Sequence, residues 1–182
     1  MSKSDDRPAT AAKPRLLAKG RFLTFIDEGG WEYVTRPGVT GIVVIVAVTD
    51  ERRLVLVEQY RPAVHRRVIE LPAGLVGDVD ERRAESLHDA AARELEEETG
   101  LRAAELVALF EGPIAVGVSD ETVSFFSARG LSRVGAGGGD DTEEITVHEV
   151  PLAELPSFLA AKQEAGLGVD PKIYAGLYLA GV

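Results

Sequence analysis

The stretch AARELEEETGL, Ala91 to Leu101, packs four glutamates, Glu94, Glu96, Glu97 and Glu98, into five residues and closes on Gly100. A helix is expected from about Ser86 to Glu98, with Gly100 as its C-terminal cap. Leu87, Ala90, Ala91, Glu94, Glu97 and Glu98 fall at the spacing of one inward-facing stripe. The first half of that stripe is apolar and the second half is carboxylate. Anions on one face repel, and the helix C-terminus adds partial negative charge of its own. Charge runs usually form solvated faces, and Glu96, on another face, is read as ordinary surface. The inward phase of Glu94, Glu97 and Glu98 calls instead for a cation, because burying them unpaired is costly. Arg93 reaches part of that charge but cannot neutralise all of it. The chain has no cysteine and three histidines, so oxygen ligands are on offer, and these favour magnesium or manganese over zinc.

The rest of the chain is consistent with one compact domain of 182 residues, 45% of them hydrophobic. Acidic residues outnumber basic ones by 30 to 20, giving a net charge of -10. That argues against a nucleic-acid or membrane surface, which needs clustered positive charge. No apolar run is long enough to span a bilayer. The opening MSKSDDRPATAAKPR is polar and lacks a signal-peptide core, so residues 1–19 are read as a flexible tail on an intracellular, cytoplasmic protein. Absence of cysteine excludes disulfides, thiolate metal sites and cysteine nucleophiles.

Working outward from the helix, GRFLTFI and WEYVTR read as two strands joined through DEGG. GIVVIVAV, Gly41 to Val48, is almost wholly apolar, as expected of a strand buried on both faces. RLVLVEQYR and RVIELPAG follow as strands, the second running into a Pro/Gly loop. AELVALFEG, ETVSFFSARGL and EITVHEVPL are further strands. GAGGGDD, Gly135 to Asp141, is a loop with little backbone restraint. Helical patterns close the chain around Leu152 to Ala165 and Pro171 to Ala180. This order suggests an α/β sandwich with a mixed sheet.

At this level ESLHDAAARELEEETGL resembles the Nudix box: Gly, five residues, Glu, seven residues, then Arg-Glu-Φ-x-Glu-Glu-x-Gly-Φ, with Φ apolar. Glu85, Arg93, Glu94, Leu95, Glu97, Glu98, Gly100 and Leu101 match. The box glycine corresponds to Gly74, but ten residues rather than five separate it from Glu85, which reads as an insertion around GDVDERR. The resemblance implies the Nudix α/β/α sandwich over residues 20–182, and hydrolysis of a nucleoside diphosphate linked to another group. It also implies divalent cations, Mg2+ or Mn2+, held by Glu94, Glu98 and the Ala73 carbonyl, with Glu97 close by. Arg93 would orient the glutamates, and Glu85 would support them.

The surroundings resemble the ADP-ribose pyrophosphatase branch. VEQYRPAVHRRVIELPAG implies that Arg61 contacts a phosphate and that Glu70 lies near the site. GVSDETVSFF implies a carboxylate near substrate or metal at Glu121. The late acidic loop, GAGGGDDTEEITVHEV, implies a metal ligand at Glu143 and a water-activating base at Asp141 or Glu143, with the glycines letting the loop close. GGWEYV resembles the segment swapped between subunits of dimeric relatives. Trp31 would stack on adenine and Glu32 touch the base, making residues 20–36 an N-terminal β-hairpin extension and the protein a homodimer. One departure is Val116, which stands where the branch commonly has proline. It keeps another nucleotide sugar, such as a GDP- or UDP-sugar, or an oxidised nucleotide open as substrate. A non-catalytic Nudix-fold binding module is a further alternative, weighed against by the retained glutamates. His65, His88 and His148 share no ligand spacing and are assigned no catalytic role; Lys172 could touch a phosphate.

Overall fold

The computed structural model describes residues 12–77, 84–139 and 144–182. Its strands are β1 (Arg15–Lys19), β2 (Thr24–Glu28), β3 (Trp31–Thr35), β4 (Gly41–Ala47), β5 (Arg53–Arg61), β6 (Arg66–Glu70), β7 (Ala73–Val76), β8 (Leu101–Pro113), β9 (Thr122–Arg133), β10 (Thr146–Pro151) and β11 (Gly168–Val169). The helices are α1 (Leu87–Thr99), α2 (Leu155–Glu164) and α3 (Lys172–Ala180).

Strand β4 explains the layering. Val43, Val44, Ile45, Val46 and Ala47 are all buried. Alternate residues of a strand point to opposite faces, and here the two sets feed two separate cores. Val43, Ile45 and Ala47 pack with Ala90, Ala91 and Leu95 of α1. Val44 and Val46 pack with Leu155 and Leu159 of α2 and Ile173 of α3. The apolar run therefore sits between helices on both sides, the α/β/α arrangement the sequence implied.

β4 pairs antiparallel with β7 and parallel with β9, in a four-stranded sheet ordered β7-β4-β9-β8. A second four-stranded sheet runs β10-β5-β6-β11, with β11 parallel to β6. Both sheets are mixed in direction. RVIELPAG, read as a short strand running into a Pro/Gly loop, carries a second strand where the loop was expected: β6 ends at Glu70, β7 begins at Ala73, and each joins a different sheet. Leu71 and Pro72 make the crossing, because proline has no N–H to carry a ladder onward.

The N-terminal extension is a three-stranded sheet, β1-β2-β3. Its first strand starts at Arg15, inside the stretch expected to be a flexible tail through residue 19. Arg15 pairs opposite Asp27 and also bonds its carboxylate at 2.6 Å. This sheet touches the body where the Val34 N–H donates to the Val118 carbonyl and Thr35 bonds Asp120.

Helix α1 matches its expected limits to within a residue. Ser86 caps its start by accepting from the Asp89 N–H, and Gly100, at φ 70°, ends it in the left-handed region. No described helix is long and apolar enough to cross a membrane.

Candidate active site

Four segments meet in a cleft of about 530 Å³: the end of β3, the β5–β6–β7 run, α1 and the start of β9, with Lys172 from α3 closing one side. A larger groove of about 820 Å³ lies elsewhere, between α2 and α3, and its lining is mostly apolar. The smaller cleft is the one with the polar chemistry.

On the α1 wall, Arg93 is the organising cation. Its guanidinium donates to both carboxylate oxygens of Glu85 at 2.8 and 3.0 Å, to Glu94 at 2.7 Å and to Glu97 at 2.8 Å. A further N–H reaches the Leu75 carbonyl at 3.3 Å. The hydrogen bonds it donates to Glu85 and the charge of Glu94, working against burial, raise the Arg93 pKa above its ordinary value. Arg93 thus bonds Glu85, Glu94 and Glu97 together on one wall.

Glu98 is only 2% exposed, and its carboxylate accepts from the Ala73 N–H at 3.0 Å. That bond ties the helix to the first residue of β7. Glu94 lies against Gly74: a Cβ built on this glycine would fall 1.9 Å from the Glu94 carboxyl carbon. Only a residue without a side chain lets the strand pass so close.

The stripe is rotated from its expected phase. The buried face of α1 runs through Ala90, Ala91, Leu95, Glu98 and Thr99. Leu95 fills the core, and Glu97 is turned to the rim with its side chain 40% exposed. The reason is packing: the sheet offers an apolar surface, and a leucine gains more from it than a carboxylate does. Glu96 pairs with Arg102 on the surface, as expected of its face.

The opposite wall carries Arg61, Glu70 and Lys172. Arg61 and Glu70 form an ion pair at 2.8 Å. Glu70 is buried, and desolvation raises its carboxyl above its ordinary value, with the Arg61 hydrogen bond acting against that rise. The third wall holds Arg36 and Glu121, paired at 3.0 Å, beside Ile42, Ile114 and Val123. Seven of the residues singled out from the sequence therefore share one cleft with Ala73: Glu94, Glu97, Glu98, Arg93, Arg61, Glu70 and Glu121. Lys172, raised only as a phosphate contact, joins them. Arg36 was not foreseen. It precedes a Pro-Gly turn at the end of β3, and nothing in its neighbours marks it.

Trp31 and Glu32 stand apart. They lie on β3 and do not line the cleft of their own chain, and Trp31 is 62% exposed. Asp141 and Glu143 fall outside the described residues, as does most of the insertion between Gly74 and Glu85.

The glycine loop that leads to them is more restrained than its composition suggested. The Gly138 N–H donates to the Glu98 carbonyl at 2.8 Å and the Gly139 N–H to the Glu97 carbonyl at 3.1 Å. Helix ends leave such carbonyls without intrahelical partners. The loop supplies those partners at the residues that carry the carboxylates.

The donor set suits a hard divalent cation, being carboxylate and backbone oxygen without sulfur. The Gly74 cradle and the buried Glu98 carboxylate are built features of that set. Among the described residues, however, no three of the acidic or histidine side chains are grouped as a preformed metal site. Arg93 holds Glu94 and Glu97 toward itself in this arrangement.

Similarity to known proteins gives the family. The NUDIX domain model matches residues 39–169. A methanol dehydrogenase activator of Bacillus methanolicus is 33% identical over 133 residues, which is 72% of this chain and 68% of that protein. An ADP-ribose pyrophosphatase of Mycobacterium tuberculosis is 42% identical over 128 residues, 69% of this chain and 60% of that one. A crystal structure of an ADP compounds hydrolase superposes with a TM-score of 0.72 at 23% identity, covering 94% of this chain and 91% of that one, and so attests the fold. The chain belongs to the Nudix hydrolase family, and within it resembles the ADP-ribose pyrophosphatase-like branch. Enzymes of this family need divalent metal ions.

Proposed function

We propose that this protein hydrolyses the pyrophosphate bond of ADP-ribose or a similar nucleoside diphosphate sugar, giving AMP and a sugar phosphate. The observation that carries the reading is the meeting of the box glutamates with Arg61, Glu70 and Glu121 in one cleft. A pyrophosphatase needs carboxylates on one side and phosphate-binding cations on the other, and this cleft has both. Relatives named as ADP-ribose pyrophosphatases add support.

The proposed metal is Mg2+, with Mn2+ as a substitute, held by Glu94, Glu98 and the Ala73 carbonyl, with Glu97 beside them. Such an ion neutralises pyrophosphate charge and lowers the pKa of bound water. The chain's own residues do the rest. Arg93 orients the carboxylates by charge-assisted hydrogen bonds. Arg61 donates to a phosphate oxygen, and its pairing with Glu70 fixes the guanidinium before substrate arrives. Asp141 or Glu143 is proposed as the base that takes the proton from the attacking water, and Glu143 as a loop metal ligand.

The protein is proposed to work as a cytoplasmic homodimer. Trp31 and Glu32, exposed and away from their own cleft, are then free to reach the partner's cleft and hold the base. An exposed tryptophan stacked on adenine contributes on the order of 1 kcal/mol.

The test is product analysis with ADP-ribose and Mg2+, with the Glu97→Gln, Glu98→Gln double variant as control. Formation of AMP and ribose 5-phosphate, lost in the variant, is expected. No turnover rejects ADP-ribose and directs the assay to GDP- and UDP-sugars. Turnover unchanged in the variant rejects the box as the catalytic centre.

A further inference from the structure

We infer that Lys172 is a specificity-determining residue that binds the sugar phosphate half of the substrate. The inference rests on the pyrophosphatase reading above and assigns one wall of that cleft.

Among the described residues, four cations line the cleft: Arg36, Arg61, Arg93 and Lys172. Arg93 is committed to three carboxylates. Arg36 sits with Glu121 beside the apolar side chains of Ile42, Ile114 and Val123. Lys172 belongs to the remaining wall, and the fold goes to some length to put it there. The two-residue strand β11 pairs parallel to Val68 and Ile69 of β6. The Asp170 N–H then donates to the Ile69 carbonyl at 2.9 Å, which sets the start of α3 beside Glu70.

Asp170 clasps Lys172 twice. One carboxylate oxygen accepts from the Lys172 backbone N–H at 2.8 Å and the other from its ammonium. A lysine side chain normally carries large rotamer entropy. The clasp removes part of that cost before any ligand binds.

The wall thus alternates in sign, Arg61, Glu70 and Lys172, with Asp170 holding Lys172 from behind the lining. Glu70 feels all the others, with Arg61 and Lys172 favouring its charge and Asp170 opposing it. Alternating donors and acceptors match a polyhydroxyl carrying a phosphate, since hydroxyls both donate and accept while the phosphate accepts from the cations. An adenine ring is better served by an apolar or aromatic face, such as the one Ile42, Ile114 and Val123 make beside Arg36.

The experiment is calorimetric binding of ribose 5-phosphate and, separately, AMP to the full chain with Mg2+. Wild type is compared with Lys172→Met and Lys172→Arg, and their thermal unfolding is checked to establish that each folds. The expected result is a loss of ribose 5-phosphate affinity of about tenfold in Lys172→Met, with AMP affinity unchanged and Lys172→Arg close to wild type. Equal loss for both ligands, no loss for either, or no wild-type binding of ribose 5-phosphate overturns the assignment. Wild-type turnover of ADP-ribose, measured alongside, separates the cases. With turnover present, a negative result rejects Lys172 alone; with turnover absent, the substrate reading itself fails.

Discussion

The Glu94 carboxylate rests on the backbone of Gly74, so close that a methyl group there would overlap all three of its terminal atoms, at 1.9 to 2.4 Å. The glycine of the strand and the glutamate of the helix are a matched pair. The three nearest atoms all belong to the far end of a flexible side chain. Gly74→Ala is therefore expected to fold, with a stability change of less than about 1 kcal/mol. It should nevertheless move Glu94 from its place and, with Glu94 as the proposed metal ligand, reduce hydrolysis by roughly 10- to 100-fold, the usual cost of disturbing such a ligand's setting. Kinetics alongside thermal unfolding check this. A large fall in melting temperature with catalysis intact would contradict the geometry.

Arg93 differs in that stability and activity should fall together. Its carboxylate partners Glu85 and Glu94 are 12% and 14% exposed, so removing the arginine leaves anions poorly solvated. Arg93→Met is expected to cost about 3 kcal/mol, the low end for breaking a buried pair. Arg93→Lys should recover part of the stability, because it keeps a charge, but little of the activity. An ammonium cannot reproduce the planar fork that grips Glu85 with two N–H groups. Denaturant unfolding and steady-state rates on both variants distinguish the two effects.

Where local rules decide the structure, the sequence was a good guide. The limits of α1 follow from Ser86 and Gly100, and the burial of β4 on both faces follows from an apolar run with no alternation. The box residues followed from the resemblance to the Nudix motif. What could not be read depends on contacts between distant segments. Glu97 is turned outward because Leu95 wins the surface under the helix, and that surface belongs to other strands. Arg36 enters the cleft through the way the N-terminal sheet docks near Ser119 and Asp120. The glycine loop looked unrestrained because its partners, the terminal carbonyls of α1, carry no sequence signal.

Acid should weaken the protein through Glu58. Burial alone would raise this carboxyl. Hydrogen bonds from Lys162 at 2.7 Å, His148 at 3.0 Å and Arg67 at 2.9 Å outweigh burial and hold its pKa at about 2, against an ordinary 4.5. A depressed folded-state pKa contributes stability that is fully present above about pH 4.5 and is lost as the pH falls toward 2. The amount is on the order of 3 kcal/mol. Glu58→Gln lacks this titration. Its stability, measured by urea unfolding from pH 6 down to about 2, should be lower than wild type at neutral pH, and the two curves should converge in acid. Parallel curves would show that Glu58 titrates normally.

Gly137 offers the sharpest test of the link between the loop and the site. It sits at φ 71°, and a Cβ there would come within 2.4 Å of the Thr99 carbonyl carbon, 2.7 Å of the Gly100 nitrogen and 2.8 Å of the Glu98 carbonyl oxygen. All three are backbone atoms, so Gly137→Ala must push the loop off the end of α1. The bonds from Gly138 and Gly139 to the Glu98 and Glu97 carbonyls are then lost. The helix end that carries both carboxylates loses its anchor, and stability should drop by about 2 kcal/mol from strain and lost capping together. Hydrolysis should fall further than stability alone accounts for at a temperature where the variant is folded, because the carboxylates lose their fixed positions. Gly117→Ala is the control, since nothing lies within 4 Å of the added methyl group and its φ is not in the left-handed region. If Gly137→Ala lowers the melting temperature but keeps wild-type kcat and KM, the loop only closes the helix, and the carboxylates hold their places without it.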